Sequence, residues 1–94
     1  MAENLDELRR RIDVVDSKIL EAIQNRFELT KQIGLYKLKS KDSVLQENRW
    51  AEVITKLESE AISRKIPVEM VKNIWNEIHI ASQNQQANIK NNDQ

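Results

Sequence analysis

The chain has 94 residues, enough for one domain but near the lower limit for a chain that buries a core alone. One glycine, one proline, 4% aromatic residues and 32% charged residues favour helices over strands. Fifteen basic residues balance fifteen acidic ones, which argues against nucleic acid or an anionic membrane as the partner, and the lack of cysteine excludes disulfides, thiolate metal sites and a cysteine nucleophile.

The sequence contains no pattern that is typical of a membrane protein. The first residues, Met1 to Glu7, are acidic and contain no apolar signal core. No apolar run approaches the ~20 residues that a membrane-spanning helix needs. We therefore expect a soluble cytoplasmic protein.

The first predicted helix runs from Leu5 to about Lys39. Asn4 is a suitable N-cap, and Glu7 stands three residues on as its capping-box partner. Gly34 is the one weak point, which costs about 1 kcal/mol against alanine without ending a helix. Apolar residues recur at steps of three and four through Leu8, Ile12, Val15, Ile19, Ile23 and Ile33, and we call this row the stripe.

This helix is too long for its own domain. At 1.5 Å per residue it would measure ~50 Å, whereas a compact globule of this chain length is roughly 30 Å across. The overhanging stripe needs another apolar surface, and the simplest source is a second copy of the chain in a two-fold dimer. A bent or broken helix that packs on itself is the alternative.

Two further helices complete an all-α chain of three helices. The second starts near Ser43, an N-cap with Gln46 in the capping-box position, and its apolar face comprises Trp50, Val53, Ile54, Leu57 and Ala61. The third has Pro67 in its first turn and an apolar face made of Val71, Ile74, Trp75, Ile78 and Ala81. Residues 1–86 form a single domain, and the polar residues 87–94 are predicted to be a frayed tail.

Polar residues interrupt the stripe of the first helix. Arg26, Thr30 and Lys37 occupy positions that the apolar pattern reserves for the core. A buried charge without a partner is unfavourable, so these positions need partners, a ligand or water. Arg26 and Lys37 either extend to the edge of the bundle or pair with acidic residues of a neighbouring helix, or else they line a pocket for an anion.

Polar side chains also end the apolar face of the third predicted helix. Ser82 and Gln86 stand one turn apart there, and either the helix is simply leaving the core or this hydroxyl and amide orient an oxygen-rich ligand. Arg49, next to Trp50 on the second helix, is by itself an ordinary surface residue. A shared space between the helices would bring together Arg26, Lys37, Arg49, Ser82 and Gln86.

Proton-transfer groups are scarce in this set. The sequence has no acidic pair on these faces, no Ser/His/Asp set, no glycine-rich phosphate loop and no cluster of metal ligands, so no metal or other cofactor is expected. His79 is interpreted as a packed or solvent-edge histidine rather than a catalyst. The remaining donors suit the binding of a dianion, or catalysis by shape and electrostatics alone.

The pattern resembles a known family, the all-helical chorismate mutases, over roughly residues 5 to 86. The later Arg49 and the Ser82 and Gln86 pair fall at the spacing that the family uses. The first helix is similar to the family's signature in Leu8, Arg9, Ile12, Asp13, Asp16, Arg26, Ile33, Gly34 and Lys37.

The resemblance implies an intertwined helical homodimer with two equivalent sites, each built from both chains. The implied reaction is the [3,3] Claisen rearrangement of chorismate to prephenate, a step of aromatic amino acid biosynthesis that needs no cofactor. By resemblance, Arg26 and the Arg9 of the other chain hold the two carboxylates, and Lys37 and Gln86 donate to the ether oxygen. Arg49 and Ser82 would line the carboxylate and ring-hydroxyl ends of the site.

The chain departs from the family's pattern at two positions. Typical members carry an acidic residue where Gln46 stands and a glutamate, which grips the ring hydroxyl, where Trp50 stands. Both residues remain candidates for substrate binding, although Gln46 is also explained as a cap and Trp50 as core. Relatives that act on 4-amino-4-deoxychorismate, and the isochorismate pyruvate lyases, also lack that glutamate, so these substrates are the alternatives to chorismate.

A non-catalytic helical dimer, serving as a regulatory or adaptor module, is the competing hypothesis from another class. The long first helix is equally expected there, but the stripe cations would be dispensable. A DNA-binding bundle is a weaker option, because the net charge is zero and no face is basic.

Overall fold

The computed structural model describes residues 4–40 and 46–92, without the side chains of residues 40, 46–48 and 92. Three helices make up this part of the chain: α1 (Leu5–Ser40), α2 (Gln46–Arg64) and α3 (Val68–Asn92). The all-α prediction is therefore confirmed. The predicted N-cap of the second helix, Ser43, lies outside the described residues.

The start of α1 is capped as the sequence predicts. The backbone N–H of Glu7 donates to the Asn4 side-chain oxygen at 2.7 Å, and the N–H of Leu8 donates to the Asn4 carbonyl at 3.2 Å. The Glu7 carboxylate forms an ion pair with Arg10 one turn further on. The cap fixes where the helix begins, and hence the register of the stripe.

The first helix extends well beyond the rest of its chain. It is unbroken over 36 residues, which excludes the alternative of a helix broken to pack on itself. The chain measures 61 × 27 × 15 Å, with a radius of gyration of 17.3 Å. A compact globule of this length would have a radius of gyration of about 12 Å. The shape is that of a rod with a small bundle at one end.

The bundle is formed by α3, which packs on both α1 and α2. Its core is small, since Ala61 and Val71 are the buried apolar residues of the described part of the chain. Every residue from 8 to 22 is exposed, and the stripe residues Leu8, Ile12, Val15 and Ile19 are 40–57% exposed. A single chain thus leaves the first half of its main apolar surface in water, where burial would be favourable.

A tight turn joins α2 to α3. Lys65 adopts a left-handed conformation with φ of 59°, and its N–H donates to the Ile62 carbonyl at 3.1 Å. The N–H of Ile66 donates to the Ala61 carbonyl at 2.9 Å, which completes a Schellman motif. The Pro67 carbonyl accepts from the N–H of Val71 at 3.2 Å. Pro67 lies one position before the first residue of α3, Val68, whereas the sequence predicts it within the first turn.

The third helix continues to Asn92, beyond the predicted domain end at residue 86. Its last turns are polar and mostly exposed, although Ile89 is half-buried against α1. The fraying of residues 87–94 stays a prediction. In the part of the chain that the structure covers, no helix combines the length and the apolar character that crossing a membrane requires.

The turn residue Lys65 generates a prediction on stability. A left-handed conformation is unfavourable for a residue with a Cβ by about 1 kcal/mol or more, and glycine adopts it freely. We expect Lys65→Gly to raise the free energy of unfolding by about 0.5–1 kcal/mol, measured by urea unfolding at one fixed protein concentration.

The matched control is Ser63→Gly, two residues earlier at an exposed helical position. Glycine destabilises a helix interior by up to about 1 kcal/mol, so this variant should lose stability. A loss of stability in both variants would contradict the role assigned to the turn.

Candidate functional site

A cleft of about 560 Å³ opens where the second half of α1, the start of α2 and the middle of α3 meet. Its apolar wall includes Leu29, Ile33 and Val53. Its polar wall includes six of the eight residues singled out from the sequence, namely Arg26, Lys37, Arg49, Trp50, Ser82 and Gln86. The expected shared space between the three helices therefore exists within one chain.

The other two predicted residues are not among the described lining of this cleft. The side chain of Gln46 lies outside the described residues. Arg9 is exposed on the bare half of α1, 17 residues before Arg26, which corresponds to about 25 Å along the helix. Arg9 is thus too far away to reach the cleft of its own chain.

Three cations are among the described residues that line the cleft. Arg26 and Lys37 are half-buried on α1, and Arg49 is exposed on α2. In the segments that the structure describes, none of the three pairs with a carboxylate, and no carboxylate lines the cleft. Burial, and then the nearby Arg49 guanidinium, lower the pKa of Arg26. This mutual repulsion is relieved when an anion binds between them.

A polar network joins α1 to α3 beside these cations. The Thr30 hydroxyl lies 2.7 Å from the Gln85 amide oxygen and 3.1 Å from the Phe27 carbonyl, and the Gln85 amide donates to that carbonyl at 3.0 Å. The Gln86 amide nitrogen donates to the Thr30 carbonyl at 2.9 Å. An amide nitrogen carries two hydrogens, so Gln86 is held in place with one donor left for a ligand.

Gly34 explains how α3 approaches α1 so closely at this point. A Cβ on Gly34 would lie 3.1 Å from the Cγ of Gln86 and 3.3 Å from the Cδ1 of Ile89, closer than most side chains tolerate. The residue that weakens α1 as a helix therefore makes room for Gln86. Its value lies in packing, which offsets its poor helix propensity.

The hydroxyl of Ser82 is buried, since this residue is only 7% exposed. Its Oγ forms no hydrogen bond with any of the residues that the structure describes. An unsatisfied buried hydroxyl is unfavourable by about 1–3 kcal/mol, and such groups in native proteins usually meet water or a ligand. Because Ser82 lines the cleft, a ligand there would supply the missing partner.

Trp50 and His79 form an aromatic pair on the wall of the cleft. Their rings are stacked with centroids 3.9 Å apart and planes within 14°. Burial, and then the charge of Arg26, lower the pKa of His79 below its usual 6.5. The imidazole is therefore neutral at neutral pH.

Sequence reasoning missed three participants: Gln85, the packing role of Gly34, and His79 as a cleft residue. His79 lies three residues before Ser82 on the same face of α3, so helical spacing was the available signal for it. No such signal pointed to Gln85. Within residues 4–40 and 46–92, no group of three or more His, Asp or Glu side chains is placed to hold a metal ion.

The fold and the cleft define an all-helical protein with a cationic, donor-rich cleft between its helices. A model of the chorismate mutase type II family matches residues 8–87, and the chain belongs to that family. The chain is also 33% identical over 91 residues to the bifunctional chorismate mutase/prephenate dehydratase of Aquifex aeolicus (strain VF5). That match covers 94% of this chain and 25% of the relative, and no solved structure matches the chain significantly.

The electrostatics of the cleft predict how His79 titrates. Its pKa should lie below 6.5, because burial and Arg26 both disfavour the imidazolium. Arg26→Gln should move this pKa part of the way back up, since it removes the charge while burial remains. His79 is the sole histidine of the chain, so NMR titration of its ring protons measures the pKa directly.

The control is Arg64→Gln, which removes an exposed cation at the far end of α2 and should leave the titration unchanged. A pKa of His79 above 6.5, or one that Arg26→Gln leaves in place, would show that the cleft is not electropositive around the imidazole.

Proposed function

We propose that this chain is a chorismate mutase, an isomerase that converts chorismate to prephenate by a [3,3] rearrangement. The observation that carries the proposal is the cleft in which Arg26, Lys37 and Arg49 converge without a carboxylate among its described lining residues. In this reaction one C–O bond breaks and one C–C bond forms inside a single molecule, with no proton or electron exchanged. Positioning and electrostatics are then sufficient for catalysis.

The proposed roles of the cleft residues are those that the family resemblance implies, and the charges of the cleft wall are compatible with them. Arg26 and the partner's Arg9 hold the two carboxylates of the substrate, and Arg49 contributes at the carboxylate end. Lys37 and the free N–H of Gln86 donate to the ether oxygen, where negative charge grows as the C–O bond breaks. Donors aimed at such developing charge each contribute about 3–4 kcal/mol to lowering the barrier.

The remaining contacts concern the substrate ring. Ser82, whose buried hydroxyl has no partner, faces the ring-hydroxyl end of the site. Trp50 adds an aromatic wall there, and Gln46 remains a candidate for substrate binding. The hydrogen bond from Gln86 to the Thr30 carbonyl supports these roles, because it holds the amide ready before the substrate arrives.

A second copy of the chain completes each site in this proposal. The bare stripe of α1 needs an apolar cover, and an identical stripe on a two-fold-related chain is self-complementary. The same arrangement explains Arg9, which lies about 25 Å along α1 from its own Arg26 and reaches only the partner's cleft. We therefore propose an intertwined homodimer with two shared sites.

Chorismate is favoured over its amino analogue by the charges of the cleft. The amino group of 4-amino-4-deoxychorismate is protonated in water at neutral pH, and three cations with no described acidic neighbour disfavour an ammonium group. A hydroxyl meets no such repulsion. Isochorismate, the substrate of the pyruvate lyases, is the remaining alternative. Comparing turnover of chorismate and isochorismate decides between these two substrates.

Turnover of chorismate tests the proposal directly. The native protein should convert chorismate, which is followed by the loss of chorismate's ultraviolet absorbance. Its kcat/KM for chorismate should be higher than for 4-amino-4-deoxychorismate or isochorismate. Lys37→Ala should lower kcat by about two to three orders of magnitude, because it removes a donor to the breaking C–O bond.

Lys39→Ala is the matched control, since Lys39 is exposed two residues further on and does not line the cleft. It should keep native turnover, and both variants should keep the native helical signal and molecular mass. If no substrate is turned over and Lys37→Ala only changes stability, the chain is a non-catalytic helical dimer.

Shared sites predict complementation between two inactive variants. In a mixed dimer of Arg9→Ala and Lys37→Ala chains, the cleft of the Arg9→Ala chain keeps its own Lys37 and gains an intact Arg9 from the other chain. The cleft of the Lys37→Ala chain lacks both residues. Random reassociation of equal amounts makes half of the dimers mixed, so about a quarter of the native activity should return. The measurement is the chorismate assay after joint unfolding and refolding of the two variants.

The control mixes Arg26→Ala with Lys37→Ala chains, whose lesions lie in the same cleft. Arg26 and Lys37 of one site come from one chain, so this mixture should stay inactive. Recovery in the control, or none in the first mixture, would contradict the assignment of Arg9 to the partner's site.

A further inference from the structure

His79 lines the cleft but has no role in the mechanism above. It projects from α3 three residues before Ser82, so the imidazole and the orphan hydroxyl share one face of the helix. Its ring is stacked on Trp50 with centroids 3.9 Å apart and nearly parallel planes. The stack occupies one ring face, and within residues 4–40 and 46–92 neither nitrogen at the ring edge is seen to form a hydrogen bond.

The surroundings of His79 supply donors in excess. Arg26 and Lys37 on α1 and Arg49 on α2 line the same cleft, and all three can only donate. Trp50 also has only a donor, on its indole nitrogen. A ligand hydroxyl that must donate a hydrogen bond therefore needs a neutral side chain as its acceptor. Besides His79, the described lining offers the oxygens of Tyr36, Ser82, Gln83 and Gln86.

A neutral imidazole meets that need. It carries one N–H donor and one nitrogen acceptor, whereas the imidazolium can only donate. Burial and the Arg26 charge lower the pKa of His79, which keeps the acceptor available at neutral pH. Stacking on Trp50 fixes the plane of the ring, so the acceptor has a defined direction before a ligand binds.

We infer that His79, held against Trp50, is the specificity-determining residue that accepts a hydrogen bond from the hydroxyl on the substrate's ring. The inference rests on the proposed function. It adds a hydrogen bond that selects the substrate and takes no part in the rearrangement itself. It accounts for an aromatic residue at position 50, because the indole face positions the imidazole. No covalent bond to His79 is made or broken.

The test compares two substrates in two proteins. The substrates are chorismate and its analogue without the ring hydroxyl, and the proteins are the native chain and His79→Phe, which keeps an aromatic ring against Trp50. The native preference in kcat/KM for the hydroxylated substrate should fall about tenfold in His79→Phe, as expected for one lost hydrogen bond. The ratio of the two preferences cancels the intrinsic reactivities of the two substrates.

Two further variants separate this contact from general effects on the cleft. His79→Gln supplies an amide oxygen as acceptor and should keep most of the preference for the hydroxyl. Gln83→Met removes another neutral polar side chain that lines the cleft, and it should leave the preference unchanged. Helical signal and molecular mass are measured for each, so a folding defect is seen separately.

The outcomes are distinguishable. If the native protein rearranges neither substrate, the proposed function fails and the inference fails with it. If the native protein is active but His79→Phe keeps the full preference, or if Gln83→Met abolishes it instead, only the inference about His79 is overturned. A selective loss in His79→Phe that His79→Gln restores supports the inference.

Discussion

The whole architecture depends on the single stripe of α1, whose two halves have different chemistry. The first half is apolar and bare, with every residue from 8 to 22 exposed. In the second half the same row of positions carries Arg26, Thr30 and Lys37, and α3 covers it. Because a helix presents one face along its length, the apolar half that needs a partner and the cationic half that needs an anion lie on one continuous surface. In the proposed homodimer, association and substrate binding are therefore linked through one helix.

The covered half of the stripe is held by polar contacts more than by a large core. Gly34 has no side chain, and this allows Gln86 to pack against it. Thr30 forms hydrogen bonds with both Gln85 and Gln86 of α3. Hydrogen bonds are directional, whereas apolar contacts tolerate sliding, so this network fixes the register of α3 against α1. The same register sets the positions of Ser82 and His79, one and two turns earlier on α3. Precision at the site thus derives from the contact that joins the helices.

Local patterns explain what was predictable from the sequence. The bounds of α1, its Asn4 cap and the cleft residues Arg26, Lys37, Ser82 and Gln86 follow from helical spacing and from polar residues in apolar positions. Arg49 and Trp50 became candidates through the resemblance to the family. The left-handed turn at Lys65 could not be predicted, because neither glycine nor asparagine, the residues that favour this conformation, occurs there. The Gln85 bonds, the closeness of Gly34 to Gln86 and the stacking of Trp50 on His79 depend on how the helices rotate against one another. That rotation is a property of the packed bundle and has no signal in the spacing of a single helix.

The electrostatic design of the cleft has a consequence for stability. Arg26 is partly desolvated and repelled by Arg49, and the lowered pKa of Arg26 expresses that unfavourable interaction. The orphan hydroxyl of Ser82 adds a second unfavourable contribution at the same place. A dianion that binds only the folded state relieves both, so it stabilises the fold in proportion to its affinity. Without a bound anion, a protein with these polar groups is less stable than one with an apolar cleft. Arg26, Arg49 and Ser82 lower the stability, and the same residues have roles in the proposed reaction.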